Sequence, residues 1–119
     1  MTSQRTASQQ ITDEVTTWPA VETGPGNWGA FVFSVGGQEF GHLHGDHAAH
    51  FAFPKGVWTE LHDQGRIDYH PMFPDKPGLA ARRIENAEDI RDVIELLRLN
   101  YDRAVARQGV PAEAAGAVQ

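Results

Sequence analysis

Six histidines fall between positions 42 and 70, and four of them (His42, His44, His47 and His50) lie within nine residues. Imidazole is the commonest metal ligand and the side chain best suited to moving protons near neutral pH. The segment Glu39-Phe40-Gly41-His42-Leu43-His44-Gly45-Asp46-His47 with His50 therefore reads as a site rather than as a polar hairpin. His42 and His44 are two apart, so on a strand both side chains point the same way. With Gly45 to His47 as a three-residue turn, His44 pairs with Ala48 and His42 with His50. Directly opposed Cβ atoms lie about 5 Å apart. Three imidazoles then share one face, with His47 at the rim. A turn one residue longer would throw His50 to the other face.

Two His-x-His histidines suit zinc, iron, copper or nickel. Gly36 through His44 also fits the opening Gly-x5-His-x-His of a cupin motif. A cupin needs a glutamate three or four residues later, where this chain has Asp46, His47, Ala48 and Ala49. The expectation is therefore that the protein holds no stoichiometric transition metal. The metal-dependent alternative would use His42, His44 and His50 as ligands. His62, beside Leu61, reads as a boundary residue of a helix. His70, ahead of Pro71, can return to the sheet. Arg82 and Arg83 alternate on a strand, so one of them faces inward.

The elements that must position these groups follow from periodicity. Residues 8–18 form a first helix, with Ile11, Val15 and Trp18 on one face, ended by Pro19. Residues 22–29, with three glycines and a proline, read as loop. Residues 30–35 are a strand; Gly36-Gly37 turns it into a second, 38–44, with Phe40, His42 and His44 on one face and Glu39, Gly41 and Leu43 on the other. Residues 48–53 make a third. Pro54 opens a helix that buries Val57, Trp58 and Leu61 and is capped by Gly65. Residues 67–71 are short and extended, 72–78 are loop, and 79–84 are a fourth strand. Asn86 caps the last helix, with Asp89 three residues on and an apolar stripe of Ile90, Val93, Ile94, Leu97, Tyr101 and Ala104. Gly109-Val110-Pro111 stops it, and residues 112–119 read as a disordered tail. The order α-β-β-β-α-β-α predicts an α+β two-layer sandwich: an antiparallel sheet of about four strands with helices on one face, in one domain over residues 1–111.

Composition narrows the function classes. With no cysteine there are no disulfides, thiolate nucleophiles or iron–sulfur clusters. A net charge of −6 with scattered basic residues argues against a nucleic-acid partner. Met1 to Gln10 is polar, without the apolar core of a secretory signal, and no apolar run approaches a bilayer span. The expected setting is cytoplasmic, with no membrane partner.

At these residues the chain resembles the luciferase-domain family, which groups the catalytic region of fungal luciferases with many small bacterial proteins. The resemblance starts at Glu39-x-x-His42-x-His44-x-x-His47 and continues through the apolar strand holding His50. It takes in Gly65 and His70-Pro71 and ends in an acidic, apolar-striped helix like residues 86–101. Its departures are an acid displaced by one position to Asp46, a shorter spacing to His50, and Leu79 where a tryptophan is expected. The long N-terminal region with a membrane anchor of the fungal enzymes is not read in this sequence. The layout also looks like the YjbR-type fold, an analogy of fold alone.

The resemblance implies a histidine-lined pocket for a small aromatic or enolic molecule and oxygenation by O2 without a cofactor. It places His42, His44 and His70 as catalytic and Glu39, Asp46, His47 and His50 as substrate-binding. Arg82 is added as a candidate oxyanion contact from its alternation. The expected partners are a small-molecule ligand and O2, on a monomer or homodimer. Two other classes stay open: a non-catalytic ligand-binding or pH-sensing module, and a metal-dependent His-x-His enzyme.

Overall fold

Alternating aromatic and β-branched residues at 31–35 and the glycine pair at 36–37 drive a meander, and the meander grows into one antiparallel sheet. The computed structural model describes residues 5–108. The expected helix stop at 109–111 and the tail at 112–119 lie outside them. The elements are α1 (Ala7–Val15), β1 (Val21–Pro25), a single 3-10 turn (Asn27–Gly29), β2 (Phe31–Val35), β3 (Gln38–His44), β4 (Ala48–Ala52), α2 (Lys55–Asp63), β5 (Asp68–Tyr69), β6 (Leu79–Arg83) and α3 (Ala87–Arg107). The sheet runs β1-β2-β3-β4-β6-β5. The four expected strands are its contiguous middle.

Two edge strands complete it. Val21–Pro25, with residues 22–25 expected as loop, pairs with β2 from Val21↔Val35 to Pro25↔Phe31. Gly24 and Pro25 made it read as a turn, but an edge strand tolerates proline because its N–H side needs no partner. At the other edge, Asp68 and Tyr69 pair with Ala81 and Ala80.

The helices cover one face, where Ile11, Val15, Phe33, Leu43, Leu96 and Leu97 are fully buried. Rings of Trp18, Phe33, Phe40 and Tyr101 meet there at centroid distances of 5.3 to 6.2 Å. Helix ends follow the sequence signals at α2 and α3, whereas α1 stops at Val15, short of the expected end at Trp18. Thr6 and Gln9 form a capping box on α1, and Asn86 accepts from the Asp89 N–H at α3. Gly65 (φ +75) closes α2, with Arg66 N–H donating to Leu61 O.

One strand departs from simple alternation. Phe33 pairs with Gly41 but Ser34 pairs with Glu39, which leaves Phe40 as an extra residue, a β-bulge. Phe40, expected beside His42, points instead into the helix-covered core, where it is 2% exposed. Glu39, expected with Gly41 and Leu43, moves to the histidine face. Gly41 sits under α3, and a Cβ there would come within 2.5 Å of Leu97 Cδ2. The regular β3–β4 pairing ends at His42↔His50. Beyond it, Asn100 of α3 donates to Phe40 O at 3.2 Å and Ala52 O at 2.9 Å. This buried amide ties the diverging strands together.

Replacing Asn100 with alanine leaves these carbonyls without their donor. An unsatisfied buried acceptor costs about 1–3 kcal/mol. Asn100→Ala should therefore lower stability by roughly 2–3 kcal/mol, read as a fall in the urea midpoint without change of slope.

Candidate functional site

Histidine side chains gather on the sheet face away from the helices. The three-residue turn sets the register His42↔His50, Leu43↔Ala49 and His44↔Ala48, as the spacing predicts. Ring centroids lie 5.3 Å apart for His42 and His50, 5.0 Å for His42 and His44, and 4.5 Å for His44 and His50. Asp68 pairs with Ala81, itself opposite His50, so alternation along the extended chain returns His70 to the same face. Its ring centroid is 4.4 Å from that of His50.

These imidazoles floor a cavity of about 570 Å³. One wall is the β1–β2 connection, with Pro25, Asn27 and Trp28; the other is Pro71 and Met72. The connection after β5 is therefore only half of the enclosure. Trp28, missed by the sequence reading, holds a left-handed backbone (φ +55) and is 72% exposed. A bulky side chain rarely adopts that conformation, and such residues cluster at ligand-binding sites. The proximity of Asn27 and Trp28 to two glycines masked them as ordinary turn residues.

The hydrogen bonds assign ring protons. Glu39 Oε2 lies 2.6 Å from His42 Nδ1. An ionised carboxylate only accepts, so His42 Nδ1 carries the hydrogen, and in the neutral ring Nε2 then bears the lone pair. His70 shows the reverse: its Nδ1 accepts the Met72 N–H at 3.2 Å, so the neutral ring carries its hydrogen on Nε2. His50 Nδ1 is buried and finds no hydrogen-bond partner among the described residues.

Burial sets the charge of the cluster. It pushes the His50 imidazole down to about 4, aided by His70, His44 and His42. Burial and then His42 lower His44; burial and then His42 and His44 lower His70. Each is held neutral near pH 7 because a charged imidazole there would be desolvated beside its neighbours.

Three expected contacts lie elsewhere. Arg82 pairs with Ala49, one residue from His50, and so faces the opposite side of the sheet. There it donates to Asp89 at 2.7 Å and lies 3.6 Å from Asp92. Arg66 also engages Asp92. Arg82 is thus a fastening between sheet and α3. Asp46 accepts from Ser8 N–H at 2.9 Å and docks the β3–β4 turn on the start of α1, a contact that holds its carboxyl below the usual range. His47 is exposed in that turn, outside the cavity lining.

The lowered imidazoles fix a pH dependence. Between about 6.5 and 4 the unfolded chain protonates His50 while the folded chain does not. Stability is therefore complete above about 6.5 and is lost as pH falls toward 4. With a chelator present, the urea midpoint should drop from about pH 7 to about pH 5, and His50→Gln should flatten that slope.

The sequence model of the luciferase domain matches residues 37–100, more than half of the chain. The match spans Glu39, all six histidines and Asn100. No individual curated protein and no solved structure matches the chain. No helix among the described residues is long and apolar enough to cross a membrane. With its spaced histidines on one sheet face and its acidic final helix, the chain belongs to the luciferase-domain family.

Proposed function

We propose that this chain binds a small acidic molecule, an enol or phenol on a flat ring, in the histidine-floored cavity and directs its oxygenation by O2. The observation that carries this reading is the Glu39–His42 pair at 2.6 Å, which leaves the His42 Nε2 lone pair as a positioned base. His42 takes the substrate proton. The carbanion gives its electron pair to O2, forming a substrate peroxide, and the proton returns to that peroxide. One substrate and one O2 give one hydroperoxide, and no external reductant is consumed. His70, with its hydrogen on Nε2, is the donor for the developing oxyanion. His44, held neutral, is a second acceptor on the floor. Trp28 and Met72 supply apolar walls for the ring.

The test is O2 uptake by metal-free protein with a panel of 4-hydroxy-2-pyrones and 4-hydroxycoumarin. A general base contributes about 10²–10⁴-fold, so His42→Ala should lose at least about 10²-fold in turnover. Because His42 lines the cavity floor and is part-exposed, the melting temperature of His42→Ala should move little. A large fall in melting temperature with binding intact would make the histidines structural. Saturable ligand binding without O2 uptake by the unsubstituted chain would make this a ligand-binding module.

A further inference from the structure

We propose that His42, His44 and His50 form a binding site for one divalent late-transition-metal ion of the zinc, cobalt, nickel and copper class. Each offers a ring nitrogen, and these three atoms lie within 4.8 Å of one another. Nitrogen ligands held tetrahedrally at 2.0–2.1 Å stand about 3.3 Å apart, so rotations of the side chains close the difference. Two strands fix the set: His42 and His44 alternate on β3, and His50 is the cross-strand partner of His42.

Three further observations favour an ion over a simple imidazole cluster. Metal-bound histidines commonly donate their other ring N–H to a carboxylate, which fixes tautomer and orientation. Glu39 holds His42 in this way through Nδ1, so Nε2 is the nitrogen left to ligate. His50 is buried, with a ring nitrogen that no described residue partners. His70 stands outside the ligand set, because its neutral ring already carries a hydrogen on Nε2. Three imidazoles without thiolate or a direct carboxylate suit the late divalent metals and not magnesium or calcium. Three protein ligands beside a 570 Å³ cavity leave a fourth position for water or ligand, unlike a closed structural site.

The metal and the base reading above call on the same lone pair, Nε2 of His42. An ion seated there withdraws the base, so metal and oxygenation compete. The site itself stands on the coordinating atoms and does not need the oxygenase reading.

Chelator-stripped full chain is titrated with zinc chloride by calorimetry and with cobalt chloride by visible absorption. One ion per chain is expected, with cobalt bands of a four- or five-coordinate site. His44→Gln and His50→Gln should each weaken binding at least about tenfold, and Glu39→Gln by about 10- to 100-fold. His62→Ala, on α2 outside the cavity, should bind as the unsubstituted chain does. Circular dichroism confirms that each variant is folded. Absence of saturable binding, or equal loss in His62→Ala, overturns the site. Zinc at saturation should also abolish O2 uptake by any probe that the stripped chain turns over; undiminished uptake overturns the competition. Stripped protein that takes up no O2 yet binds one ion removes the oxygenase reading and leaves the metal site standing.

Discussion

The bulge at Phe40 is the constraint on which the rest of the site depends. A strand alternates strictly, so residues three apart normally face opposite ways. One extra residue between Glu39 and His42 breaks that rule and puts carboxylate and imidazole on the same face, close enough to share a hydrogen. The same residue throws the Phe40 ring inward onto Trp18, Phe33 and Tyr101. One backbone irregularity thus assembles the polar pair and completes the aromatic core. It survives because Asn100 satisfies the carbonyls of the splayed strands and because Gly41 lets Leu97 come close.

Much of the framework was legible because it rests on local chemistry. Gly45 in a three-residue turn fixed the His42–His50 pairing, and Asn86 and Gly65 marked helix ends. What was not legible depended on partners remote in sequence. The bulge has no signature of its own in residues 38–44; it is stabilised by Asn100, 60 residues away from Phe40. Asn100 lies on the buried face of α3, and a buried amide there is evidence of carbonyls that need donors. Arg82 was misplaced for a related reason. Alternation showed that one arginine must face inward, but the acidic side of α3, not the cavity, receives it.

The polar groups also divide by purpose. Arg66, Arg82, Asp89 and Asp92 fasten α3 to the sheet and its connections, and Asp46 fastens a turn to α1. These pairs lie on the covered side, where Arg82 and Arg103 each keep a buried Nε without a partner among the described residues. On the open face His50 keeps a buried unpartnered nitrogen, and burial, then neighbouring histidines, lowers the imidazoles of His44, His50 and His70. Of the three described residues with such a buried unpartnered nitrogen, His50 alone lines the histidine-floored cavity.

The floor and the walls of the cavity come from different kinds of backbone. His42, His44 and His50 stand on β3 and β4, the third and fourth of six strands, each hydrogen-bonded on both sides. Trp28 stands on a connection to an edge strand, and Met72 follows the other edge strand. Floor and walls are therefore encoded in separable stretches of the chain. Connections accept insertions and replacements that paired strands do not. A lineage built on this plan can reshape the cavity by rewriting residues 25–28 and 71–72, with the histidine floor inherited unaltered.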